Sequence, residues 1–515
     1  MYDYVIVGAG SAGCVLAARL SEDPHTKVCL LEAGPADTSP NIHLPSAFGR
    51  LFRTRLDWDY DTLDEPFLDG RRVYLPRGRM LGGSSSMNAM VYIRGHRADY
   101  DGWDTPGWGY REMLPYFKRS EDNERGASEY HGAGGPLGVS DGRSRNEMTA
   151  AFIQAGVEAG FPANDDFNGA EQDGFGFYQV TQRDGRRCST AAGFLRPALD
   201  RPNLTVMTGF QAHRVVFDGD RAVGIAGTHR DEEVEIRAER EVILSAGAYN
   251  SPQLLMLSGI GPGQALAPLG IPVRIDQPHV GQNLQDHPHT LLIFPHDRPI
   301  SLLIAGEPQY ALQYERERSG PLSSNIAEAG GFVRATDGAQ VPDVQFLAGP
   351  IMFAEGGLRA PTAHALSVGV GVLKPRSRGS VTIATEDPTA KPVIQHNYFA
   401  DSADMEVAVA GMRVVLEIAR QKALKPFTQT LMDAPASESD ADLRAYVRRA
   451  TQTLYHPAGT CAMGTVVDGH LRVLGVDGLR VVDASVMPDL VRGNTNAPTI
   501  AIAERAADLI RGVAP

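Results

Sequence analysis

A chain of 515 residues is too long for one ordinary hydrophobic core, so two domains, or two interwoven ones, are expected. An apolar share of 43% and a charged share of 22% are ordinary for a soluble globular protein, and no segment is long and apolar enough for a membrane span. The net charge of −13 is spread among interspersed residues of both signs, which argues against a nucleic-acid surface and mildly favours a cationic substrate.

Tyr4 to Val7 form a short run ending on Gly8, and the segment after Gly13 reads as a helix through Leu16, Ala17 and Leu20. A second strand, Lys27 to Leu31, ends on Glu32 and completes a strand, helix, strand unit with a buried parallel pairing. From Gly34 to about Asn146, Pro, Gly and charged residues dominate, which predicts long loops and short helices ordered by what they cover. Strand patterns return at Leu204 to Met207, Arg214 to Phe217 and Glu241 to Leu244, and these extend the first sheet. Between Pro295 and Thr451, strands such as Val341 to Leu347 and Gly379 to Ile383 mix with a helical run, Asp404 to Arg420. That section lacks phosphate-loop signals and reads as a separate substrate-side domain. The strand Leu479 to Asp483 and a closing helix, Pro498 to Arg511, end the chain.

Cys14, Cys29, Cys188 and Cys461 lie far apart with no C-x-x-C spacing, so reduced thiols are expected rather than zinc ligands or disulfides. Met1 to Val7 lack the basic start and apolar stretch of a secretory signal, which makes a cytoplasmic protein the default expectation.

Gly8-Ala9-Gly10-Ser11-Ala12-Gly13 fits G-x-G-x-x-G between a strand and a helix. Glycine there permits the tight turn, backbone approach to a pyrophosphate and close helix packing, while the helix N-terminus attracts the phosphates. Glu32, 19 positions beyond Gly13, can accept hydrogen bonds from ribose hydroxyls. The fingerprint does not choose between NAD and FAD, because both present the same ADP half.

Five further segments bear on that choice: Arg77 to Asn88 (RGRMLGGSSSMN), Ser245 to Leu255 (SAGAYNSPQLL), Gly281 to His287 (GQNLQDH), Tyr455 to Cys461 (YHPAGTC) and Asn494 to Thr499 (NTNAPT). With these, essentially the whole chain resembles the glucose-methanol-choline (GMC) oxidoreductase family, in its choline-dehydrogenase-like branch. The resemblance implies a fold of class α/β (α+β overall): a Rossmann-like FAD-binding domain interwoven with a substrate-binding domain built on an antiparallel sheet with helices. The expected division gives 1–150, 198–295 and 452–515 to the FAD-binding domain, and 151–197 and 296–451 to the other. Gly8, Gly10, Ser11, Ala12, Gly13, Glu32, Ala33, Gly82, Gly83, Asn88, Ala89, Met90, Val91, Ala212, Asp483 and Ala497 are the residues expected to hold FAD. Met87 stands where some choline-oxidising relatives carry a histidine bonded to the flavin; methionine is unsuited to that link, so non-covalent FAD is expected.

Alcohol oxidation needs a base for the hydroxyl proton and an acceptor for the hydride. His456 is expected to be the base, since histidine titrates near neutrality, and Pro457 biases it to an extended backbone. Asn496 is expected to steady the alcohol oxygen, or to cap the closing helix, or both. Asp483 either approaches the flavin or serves as a turn residue, and Glu328 and Trp58 are candidates for the substrate cavity. His287-Pro288-His289 lacks a converging third metal ligand, so a structural loop is expected and no metal. The resemblance thus implies oxidation of a small-molecule alcohol to an aldehyde or ketone, with oxygen or a quinone or other carrier as electron acceptor and a lean toward a dehydrogenase. A cyanohydrin-cleaving lyase of the same family and a non-catalytic flavin-binding protein are the alternatives.

Overall fold

The strand Tyr2–Val7, buried from Tyr4 onward, lies inside a seven-stranded sheet of the computed structural model, which describes residues 1–513. It pairs in parallel with Val28–Glu32, which pairs in parallel with Leu204–Thr208. On its other side runs Glu232–Leu244, a strand of 13 residues that belongs to two environments. Its first half pairs antiparallel with Arg221–His229, which in turn pairs with Phe210–Asp218. Its last residues, Glu241 to Leu244, pair in parallel with Tyr4 to Val7 and with Leu479–Val481. The sequence reading marks only the apolar end of this strand, although the solvent-facing half alternates charged and apolar residues as a half-exposed strand does.

The glycine turn leads from the first strand into the helix Ser11–Leu20, which is buried along almost its whole length. A Cβ added at Gly13 would lie 1.9 Å from the carbonyl oxygen of Gly8, so this helix can pack so close to the strand end only with glycine there. The closing helix, Asn496–Arg511, packs beside it.

The second sheet is six-stranded, ordered Thr451–Thr453, Pro288–Pro295, Ala365–Val372, Val344–Gly349, Ala329–Val333, Gly174–Phe177, and every pairing is antiparallel. The helix Ser402–Ala419 buries Met405, Ala408, Val409, Met412 and Val415 against it, the three-and-four spacing of one helix face. The expected division needs a correction at two boundaries: 198–295 and 452–515 are expected in the first domain, yet Pro288–Pro295 and Thr451–Thr453 hydrogen-bond within the antiparallel sheet. A buried apolar run carries no local signal of which sheet will take it. Among the described residues, no helix is long and apolar enough to cross a membrane.

Replacing Gly13 with alanine forces a methyl group into the Gly8 carbonyl. Overpacking of this kind costs about 1–3 kcal/mol, so a circular-dichroism melt should show a lower midpoint for G13A.

Candidate functional site

One cavity is lined from both sheets. Its glycine-turn side carries Gly8, Gly10, Ser11 and Ala12, then Glu32 and Ala33 at the end of the second strand, and Ala212. Gly83 and Asn88 to Val91 continue the wall toward the antiparallel sheet. Three expected contacts, Gly13, Gly82 and Ala497, are not among the residues that line the cavity. Gly13 is occupied by helix packing, Gly82 donates its N–H to the Ala9 carbonyl at 2.7 Å, and Ala497 is buried within the closing helix.

The chemistry of the wall fits FAD. A Cβ at Gly83 would come within 2.7 Å of the Gly10 Cα, so two backbones meet here at a distance only glycine allows. Above Gly10 the space is open: an added Cβ would touch nothing closer than 4.0 Å. The helices beginning at Ser11 and Asn496 bring two N-termini to this place, where their dipoles favour pyrophosphate. Ser245 lines the same wall with a buried hydroxyl that has no partner in the protein. Glu32 accepts from Ala9 N–H at 2.9 Å and Gly34 N–H at 2.8 Å, and burial pushes its carboxyl up to about 7. Asp483 lines the cavity too, but both its oxygens are engaged, by Gly247 N–H, the Ser251 hydroxyl and Ser485 N–H. Its first role is that of a clasp between two loops.

At the other end stands His456, 7% exposed. Tyr455 before it has φ of 68°, a left-handed conformation costly for a non-glycine residue. The turn is held from both sides: Tyr455 N–H donates to the Thr453 hydroxyl at 2.6 Å, and Arg77 donates to the Tyr455 carbonyl at 2.8 Å. Met90 and Ile326, also on the cavity wall, have φ of 58° and 70°, so backbone strain gathers at this site.

The tautomer of His456 follows from its neighbours. His287 Nε2 lies 3.1 Å from the Leu373 carbonyl oxygen, which can only accept, so that nitrogen carries the proton. Burial lowers the His287 pKa to about 4, leaving its Nδ1 bare at neutral pH. His456 Nδ1, 2.8 Å away, must therefore be the donor. Burial, reinforced by His287 and the Arg77 charge, holds the His456 pKa well below the ordinary histidine value, so its Nε2 is unprotonated. Asn494 Nδ2 donates to that nitrogen at 3.2 Å, its amide oriented by Gln345, which donates to Oδ1 at 3.1 Å.

The asparagine beside His456 is thus Asn494, not Asn496. Asn496 lines the cavity but accepts from the Ser11 hydroxyl at 2.7 Å, tying together the two helix starts, and the closing helix has no side-chain cap. Only the doublet Asn494-Thr495-Asn496 hinted at the alternative; which asparagine faces the histidine depends on where the helix begins. Trp58 does line the cavity, stacked on Tyr60 with Arg79 4.9 Å over its ring. Glu328 does not. It is 4% exposed and accepts from the hydroxyls of Ser144, Thr149 and Ser324 and from Asn146 N–H, a structural anchor that burial keeps raised in pKa.

A dinucleotide turn joined through one cavity to a neutral, buried histidine defines a nucleotide-cofactor oxidoreductase. The GMC oxidoreductase family models match residues 2–289 and 375–503. A protein named alcohol dehydrogenase (acceptor) from Pseudomonas putida is 44% identical over 99% of this chain and 96% of its own. Mitochondrial choline dehydrogenase of Homo sapiens is 45% identical over 99% of this chain and 90% of its own. Among solved structures, pyridoxine 4-oxidase from Mesorbium loti superposes with a TM-score of 0.92 at 34% identity, over 100% of both chains. The chain belongs to the GMC oxidoreductase family. It is an FAD-dependent oxidoreductase acting on CH–OH donors, and the lyase alternative is not favoured.

Because Glu328 faces away from the cavity, Glu328→Gln should act on stability alone. Losing a charged acceptor that serves four donors costs about 1–3 kcal/mol; chemical denaturation should register that loss, with the Michaelis constant for alcohol unchanged.

Proposed function

We propose that His456 is the base that accepts the alcohol proton and that Asn494 holds the alcohol oxygen beside it. The observation that carries this reading is the neutral His456 imidazole, whose bare Nε2 is the ring nitrogen turned away from buried His287. In this reading, Gly8, Gly10, Ser11, Ala12, Glu32, Ala33, Gly83, Asn88 to Val91, Ala212 and Asn496 hold FAD without a covalent bond. Met87, buried on the cavity wall, offers a thioether unsuited to such a bond. The cofactor side comprises 1–150, 198–287 and 454–515, and the substrate side 151–197 and 288–453.

FAD, when bound, supplies the acceptor for the hydride that leaves the α-carbon. His456 Nε2 takes the hydroxyl proton as the carbon–oxygen bond becomes double, yielding an aldehyde or ketone. His456 Nδ1 keeps its own proton throughout, shared with His287. Arg77, fixed on the Tyr455 carbonyl, lends positive charge to the side where the oxygen becomes negative. The electrons then pass to a carrier such as a quinone, a choice supported by the dehydrogenase names of the two relatives.

Anaerobic mixing of the yellow protein with an alcohol panel, followed by admission of oxygen or an artificial acceptor, reads donor and acceptor together. His456→Ala should slow flavin reduction by about 10²-fold or more, and near-normal reduction would remove it from the role. Asn494→Ala should slow the same step, whereas Asn496→Ala should chiefly loosen the flavin, read as a lower flavin-to-protein ratio.

The pH dependence has a definite sign. A base with a depressed pKa stays deprotonated as pH falls through the usual histidine value, so stopped-flow reduction should hold level from pH 8 past 6.5 and decline only below. Acid denaturation of the wild type should release all the flavin into the supernatant.

A further inference from the structure

We propose that the alcohol taken by this site is uncharged, with an apolar group beyond its reacting carbon, and that a quaternary ammonium alcohol is rejected; the proposal rests on the alcohol-oxidation reading above. The antiparallel-sheet side of the cavity is walled by Leu291, Ile326, Leu347, Ile351 and Phe353. Its polar members carry no charge. The Ser367 hydroxyl is spent, donating to the Ile351 carbonyl at 2.6 Å and accepting from Phe353 N–H at 3.0 Å. His289 has a buried Nε2 without a partner, packed so tightly over Gly369 that a Cβ there would come within 1.6 Å. Burial lowers its pKa to about 4, which leaves the ring neutral.

Among the described residues, the carboxylates on the cavity wall are Glu32 and Asp483, both on the glycine-turn side and both bound by backbone N–H groups. Glu328, the acid expected in the substrate cavity, is turned into a cage of four donors. Arg77 lines the cavity and depresses the His456 pKa, whereas the Asp286 carboxylate behind His456 is not on the cavity wall and is taken up by four donors. An ammonium entering here would lose its hydration, meet no counter-charge and face a guanidinium. Attraction to the rings that line the cavity, Phe48, Phe52, Trp58, Phe353 and Tyr455, contributes about 0.5–2 kcal/mol each, which without a carboxylate partner falls short of the cost of taking the charge out of water. A neutral hydrocarbon group gains from the same wall by leaving water.

Choline and 3,3-dimethyl-1-butanol provide the test, since they differ in charge at nearly constant shape. Titration calorimetry on the dithionite-reduced holoenzyme, which cannot turn over, should show the neutral alcohol binding at least about tenfold more tightly, the effect expected of an unpaired desolvated charge. Choline binding equally or more tightly would overturn the proposal. Anaerobic mixing with the oxidised enzyme separates this from the underlying reading. A preference for the neutral isostere in binding, with no bleaching by it or by 1-hexanol or benzyl alcohol, would reject alcohol oxidation while the charge preference stands.

Discussion

The buried carboxylate of Asp286 accepts hydrogen bonds from the backbone N–H groups of His287 and His456 and from the hydroxyls of Tyr398 and Thr453. These donors come from three stretches of chain far apart in sequence, so one side chain sets where the reacting corner lies. A carboxylate out of reach of water is tolerable only when its oxygens are satisfied, which makes the arrangement nearly all-or-none. Because His287 and His456 hang from the same group, their rings meet through Nδ1 and the proton inventory of the pair is decided. The strained backbone at Tyr455 persists because the surrounding hydrogen bonds over-determine it.

The two ends of the cavity differ in electrostatic character for reasons of backbone architecture. At the glycine turn, helix N-termini and exposed N–H groups make a place for anionic phosphates. At the antiparallel sheet, alternate side chains of Pro288–Pro295 and Val344–Gly349 turn apolar groups inward, as the two-residue repeat of a strand requires. His456, Asn494 and Arg77 stand between them on the cavity wall. A low-dielectric site keeps histidines neutral and strengthens the field of the Arg77 guanidinium.

Much of the cofactor side was legible locally. The turn Gly8 to Gly13, the strand ending on Glu32 and the helix after it depend on contacts within about thirty residues, and they stand where the pattern places them. The antiparallel sheet was far less legible. Its strands Ala329–Val333 and Ala365–Val372 are both fully buried; the first shows no alternation, and the second alternates Leu and Val with Ser and Gly, whose small side chains weaken the strand signal. Pro288–Pro295 read as part of the neighbouring domain because its apolar run has no feature naming its partners. The same limit separated Asn494 from Asn496 and hid the inward turn of Glu328 among hydroxyls.

The amino-acid sequence by itself therefore determined the family, the dinucleotide turn and the histidine at the site, because each rests on residue types at short spacing whose chemistry does not depend on distant neighbours. Tertiary structure alone decided which asparagine faces that histidine, which of its nitrogens is bare and whether the chamber beyond it is charged. Those properties arise from groups 38 to 170 residues apart in the chain, brought within hydrogen-bond distance only when the two sheets close around a common cavity.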